Sequence, residues 1–108
     1  MEQLKVVVLT RPDGIPVECI QGSPRECASV AAAVSAVYGS LRPLEDIYLK
    51  RVLRVHAEYD TTHFVVVALN GGDMLLCVAA PKAVPLGRLH VLVRLLEEEL
   101  SHNPAKRI

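Results

Sequence analysis

The sequence predicts an α+β fold: a five-stranded antiparallel sheet, elements in the order β-β-α-β-β-β-α, with the two helices on opposite faces. Three observations predict it. Short segments rich in Val, Leu and Ala are joined by brief turn signals, as hairpin-linked antiparallel neighbours require. Three of these segments are apolar on both faces, so both sides of the sheet need cover. Two longer segments carry helical rather than alternating periodicity. The 108 residues suit one domain, placed at 1–102, with 103–108 as a frayed tail.

Leu4 to Thr10, with Val6, Val7 and Val8 consecutive, reads as a strand buried on both faces. Arg11-Pro12-Asp13-Gly14 is a tight turn, and Ile15 to Ile20 closes a hairpin. In Ser23-Pro24-Arg25-Glu26 the serine caps a helix, Pro24 suits its first turn and Glu26 completes a capping box. The helix is expected over Pro24 to about Leu41, ended by Pro43. Ile47 to Tyr59 alternates apolar and polar and reads as a strand with one wet face. His63 to Leu69 and Met74 to Ala80 read as strands apolar on both faces, joined by Asn70-Gly71-Gly72-Asp73. A last helix is expected from Pro85 or Leu86 to about His102.

Composition excludes several function classes. Hydrophobic residues make up 51% of the chain, enough for a core, but aromatics only 4%, too few for a base-stacking platform. The formal net charge is zero, so no basic field draws nucleic acid or anionic lipid. No apolar run reaches the roughly 18 residues of a membrane span, and the first residues do not read as a signal peptide. Cys19, Cys27 and Cys77 are odd in number and widely spaced, which predicts three buried free thiols in a reducing, cytoplasmic setting.

The first helix is the most informative element. Cys27, Val30, Ala31, Val34, Val37, Tyr38 and Leu41 form the side expected to pack on the sheet. The opposite side carries Ala28, Ser29, Ala32, Ala33, Ser35, Ala36, Gly39 and Ser40, with no charge between Cys27 and Leu41. A solvent-facing helix normally displays Lys or Glu, so a face of Ala, Ser and Gly suggests close approach by a second backbone. A two-fold axis lets one such patch meet itself, which makes the chain its own expected partner. The bland alternative is an Ala-rich helix chosen for propensity. In the last helix Leu86, Leu89, Val93, Leu96 and Leu100 form the expected core stripe. Val91 and Leu95 lie away from it, flanked by Arg88, Arg94, Glu98 and Glu99, as a candidate partner contact.

No constellation for chemistry emerges. Gly71-Gly72 lacks the context of a phosphate loop, no nucleophile elbow is present, and His56, His63, His90 and His102 are dispersed without metal-ligand spacing. No catalytic residue, metal or cofactor is expected. Lys50, Arg51 and Arg54 read as a solvated strand face, and Glu97-Glu98-Glu99 as a solvated helix end.

The segment VVVLTRPDGIPVECI (Val6 to Ile20), the helix that follows, and Met74 to Leu100 with Leu86-Gly87 opening the last helix resemble the Roadblock family, which includes dynein-associated light chains and prokaryotic regulators of small GTPases. The resemblance covers about Leu4 to Leu100. It implies a Roadblock/profilin-like sheet between helices, a homodimer or heterodimer, and a seam built from the helix after the first hairpin and the third strand. That seam takes in Ala28, Ser29, Ala32, Ala33, Ser35, Ala36 and Gly39, with Lys50, Val52 and Arg54. The implied function is a non-catalytic module that binds or regulates a small Ras-like GTPase or serves as a scaffold subunit. The family's usual helix before the first strand has no room ahead of Leu4, so one sheet face is expected to stand half open. The competing readings are a small-molecule-binding sensory module of profilin-like or PAS-like shape, and an enzyme built on one of the cysteines.

Overall fold

The computed structural model describes residues 3–48 and 54–102. The elements are β1 (Val6–Thr10), β2 (Pro16–Gln21), α1 (Pro24–Leu41), α2 (Pro43–Tyr48), β3 (Arg54–Glu58), β4 (Thr62–Leu69), β5 (Met74–Pro81) and α3 (Leu86–His102). The strands form one antiparallel sheet in the order β2-β1-β5-β4-β3, so β2 and β3 are the edges. The α1–α2 connection carries the chain from one edge to the other.

Local chemistry explains the hairpins and the first helix. At the β1–β2 turn Gly14 has φ +90°, a value that costs glycine little. Thr10 Oγ1 donates to the Ile15 carbonyl at 3.0 Å, and the Ile15 N–H donates to Asp13 Oδ1 at 3.1 Å. Between β4 and β5 the turn is a short 3-10 helix, Asn70–Gly72, entered with Asn70, Gly71 and Gly72 all at positive φ. The capping box forms as the sequence requires: the Glu26 N–H donates to Ser23 Oγ and the Ser23 N–H donates to Glu26 Oε1, each at 3.1 Å. The Ser23 N–H, and after it the Ser23 hydroxyl, hold the Glu26 carboxyl below its ordinary pKa.

Two apolar layers lie on the two sides of the sheet, one helix over each. Under α3 sit Val7, Leu9, Val65, Val67, Leu76 and Val78, closed by Leu89, Val93, Leu96 and Leu100. Under α1 sit Val6, Val8, Val66, Leu75, Cys77 and Ala79, closed by Cys27, Ala31, Val34 and Tyr38. The side expected to stand half open is in fact filled: Leu4 and Val84 complete the α3 layer, with Val17 and Ile20 on edge strand β2 and Leu92 on α3 half-buried against it.

Four sequence expectations need correction. Pro43 does not simply end the helical region; it opens α2, because the first turn of a helix needs no N–H from its proline and favours acids such as Glu45 and Asp46. Ile47 and Tyr48 are therefore helical, and the described part of β3 is confined to Arg54–Glu58. Lys50, Arg51 and Val52 lie outside the described residues, as does the expected tail over 103–108. Leu86, expected in the core stripe, is exposed at the start of α3. Finally, Cys19 and Cys27 are a disulfide, with Cα atoms 5.8 Å apart, and Cys77 alone is free. Their distance along the chain misleads because Gly22 and Ser23 turn α1 back over β2, which brings its first turn against Cys19.

Candidate functional site: the groove between the first helix and the edge strand

Rotation of α1 about its axis decides which small residues are available. The buried line is Cys27, Ala31, Val34 and Tyr38. On one flank Ala32 and Ser35 face the chain's own β1–β2 turn: a side chain at Gly14 would meet Ser35 Oγ at 2.9 Å and the Ala32 Cα at 3.5 Å. Part of the small face thus serves an intramolecular approach that periodicity alone did not reveal. Ala36 points outward and is exposed, as are Ala28 and Gly39. The other flank carries Ser29, Val30, Ala33 and Val37.

That second flank is one wall of a groove. Ser29, Val30, Ala33, Val34 and Val37 of α1 face Ala57, Tyr59 and Phe64 across a cleft of about 250 Å³. The cleft continues past Ser29, Val30 and Phe64 into a second hollow of about 310 Å³, whose far end carries Lys5 and Arg25. Val37, expected on the core side, is 44% exposed, and Tyr59 is 63% exposed with its ring edge-on to Phe64, centroids 5.1 Å apart. The sheet under this wall is incompletely covered, with Val55, Phe64 and Ala68 only partly buried. Ser29 and Ala33 are the groove residues that the sequence pattern singled out. Val37, Ala57 and Tyr59 escape the sequence pattern, although Val37 lies at the margin of the apolar stripe, Ala57 on the apolar side of β3 and Tyr59 just past its end.

Arg54 sits on the same edge strand but turns to the opposite face. Its Nη2 donates to Glu97 Oε1 at 2.6 Å and its Nη1 to His90 Nδ1 at 3.0 Å, tying β3 to α3. His56 Nε2 and His63 Nδ1 lie 3.1 Å apart, and the His56 and His90 rings are 6.4 Å apart. Three histidines that look dispersed are thus gathered by register: Glu58 pairs with His63, which places His56 diagonally across the same face. Burial first, then the charges of Arg54 and His56, hold the His90 pKa below its ordinary value. A hydrogen bond from Arg54 requires a lone pair on His90 Nδ1, so this ring is neutral at that atom. Among the described residues no group of three or more His, Cys, Asp or Glu side chains is placed to hold a metal ion.

Val91 and Leu95 stand on the outer side of α3, 58% and 56% exposed, with Arg94 beside them and Arg88 one turn earlier, its Nε donating to Gln3 Oε1 at 2.6 Å. Cys77 is sealed in the α1 layer, and burial pushes its thiol up to about 12, out of range for a nucleophile near neutral pH. No helix among the described residues is long and apolar enough to cross a membrane.

Neither a protein-family model nor a curated protein matches the chain. Solved structures do. A Roadblock/LC7 domain from Streptomyces avermitilis is 22% identical, aligned over 92% of this chain and 83% of that one, with a TM-score of 0.80. Myxococcus xanthus MglB is 15% identical over 97% of this chain and 80% of its own, with a TM-score of 0.82. The gliding protein MglB of Thermus thermophilus is 15% identical over 92% and 76%, with a TM-score of 0.79. At these identities the likeness speaks for backbone architecture, and together with the sheet order and the helix on each face it establishes that this chain has the Roadblock/LC7 fold.

Proposed function

We propose that this chain is a non-catalytic cytoplasmic module that forms a homodimer through α1 and β3 and, as a dimer, binds or regulates a small Ras-like GTPase or serves as a scaffold subunit. The groove carries the reading. Ser29, Ala33, Val37, Ala57 and Tyr59 hold apolar surface open to water beside an edge strand, and a second copy would cover it. The small residues Ala28, Ser29, Ala33, Ala36 and Gly39 let a facing helix come close, with Ala32 and Ser35 at the margin beside their own hairpin turn. Of the strand residues assigned to this seam, Arg54 opens β3, and Lys50 and Val52 precede it. The GTPase partner follows from the family resemblance of the sequence, with which the shared fold of the two MglB proteins is consistent in architecture.

The test is molar mass by light scattering at low micromolar concentration and two salt levels, with Ala36→Glu as the variant. Twice the chain mass, insensitive to salt, and a folded monomer for Ala36→Glu are expected, because the variant buries an unpaired carboxylate at a close helix contact. A parent chain that is monomeric overturns the dimer and leaves the groove as a cleft for a small apolar molecule, to be tested by saturable thermal shift. Once the dimer stands, titration with a small GTPase of the source organism, loaded with GDP or with a GTP analogue, decides the partner. Equal and negligible binding in both states would sink that half of the proposal.

A further inference from the structure

The outer stripe of α3 is self-complementary. Arg88, Val91, Leu95 and Glu98 follow one another at steps of three, four and three, so they share one line along the helix, opposite the buried Leu89, Val93, Leu96 and Leu100. All four are exposed, Val91 and Leu95 by more than half. The stripe is symmetric about Val93: Val91 and Leu95 stand two positions either side, Arg88 and Glu98 five positions either side. A two-fold axis through that point, perpendicular to the helix, lays a second α3 antiparallel on the first. Val91 then meets Leu95 twice and Arg88 meets Glu98 twice. Glu98 has no ion-pair partner among the described residues, and Arg88 uses only its Nε, on Gln3.

From this geometry we infer that the outer face of α3 is a self-association surface whose occupant is the α3 of a second copy, antiparallel, separate from the α1–β3 seam. Charge selects the occupant. Arg88 lies near the N-terminal end of the helix, Glu98 and Glu99 near its C-terminal end, and Arg94 at its middle. A uniformly acidic or basic partner would meet like charge at one end, whereas an antiparallel copy meets opposite charge at both. With two apolar residues per copy the contact is small and rimmed by exposed ion pairs. It therefore forms at high protein concentration and weakens as salt screens those pairs.

Charge exchange tests the inference on the full chain, by sedimentation equilibrium from micromolar to near-millimolar concentration. Arg88→Glu leaves carboxylates at both ends of the stripe and Glu98→Arg leaves guanidiniums at both. Each variant alone should lose the α3 step, tenfold or more in association constant. An equimolar mixture of the two should regain it, because each then meets its complement, and the double exchange should behave as the parent does. All four positions are exposed, so melting curves should stay unchanged. The pattern is read as dimer to tetramer if the α1–β3 seam exists and as monomer to dimer if it does not, so failure of the one proposal is distinguishable from failure of the other. A parent chain that shows no such step, single variants that associate like the parent, or a mixture no better than its components overturns the inference.

Discussion

Replacing Val37 by alanine should weaken the dimer and leave the monomer intact. Val37 stands on the groove wall with 44% of its surface still open. Full burial of a valine is worth roughly 1.5–3 kcal/mol, so covering the open part contributes about 1 kcal/mol per copy and about 2 kcal/mol across a two-fold seam. Alanine keeps part of that contact, so the loss is about 1.4 kcal/mol, a tenfold rise in Kd. The monomer forfeits little, because this surface is already wet and alanine has the better helix propensity. Dilution by sedimentation equilibrium reads the Kd, and urea unfolding reads the monomer. Leu95→Ala on the outer side of α3 is the control, expected to leave this seam unchanged. A Kd within about twofold of the parent would refute the placement of the seam.

Leu89 is fully buried in the α3 layer, so Leu89→Ala should cost about 2–5 kcal/mol of stability, read as an earlier urea midpoint with an unchanged slope. Because the folded state holds the His90 pKa down, the unfolded chain takes up its proton at the higher pH; stability is full above the ordinary imidazole pKa of ~6.5 and is lost as pH falls towards the depressed folded value. Thermal melts across that range should show the fall and His90→Gln should flatten it, while a parent that gains stability on acidification would contradict the arrangement. In native, unreduced protein a thiol reagent should find no fast-reacting group, since Cys77 is buried and Cys19 is bonded to Cys27; reduction should expose the Cys19–Cys27 pair. Loop entropy puts the loss on reduction at about 2.5 kcal/mol, and two fast thiols before reduction would exclude the bridge.

The parts of the fold that could be read from sequence are those whose cause is local. The capping box, the Asp13-Gly14 turn and the strands apolar on both faces each carry their explanation within a few residues, and each stands where expected. Pro43 was ambiguous because proline punctuates in both directions: it closes α1 and is a good first residue for α2. The disulfide and the histidine cluster were not legible because proximity there depends on register and on how α1 folds back over β2. The groove was half legible. Small residues without charge marked α1 as unusual, but which flank was free depended on where the β1–β2 turn comes to rest, against Ala32 and Ser35.

That resting place also explains why the two edges of the sheet are not equivalent. Beside β2, the disulfide from Cys19 to Cys27 and the Gly14 turn against Ser35 tie the strand, its turn and α1 into one unit. Beside β3, the α3 side is held by Arg54 through Glu97 and His90, which fixes the edge strand to the helix below it. What neither arrangement covers is the α1 side of β3, where Val37 and Tyr59 remain open. A sheet secured at one edge and on one side of the other leaves the remaining side as the surface for the proposed association. The fixed strand also lowers the ordering cost of meeting a partner there, since little of the groove wall has to be immobilised on contact.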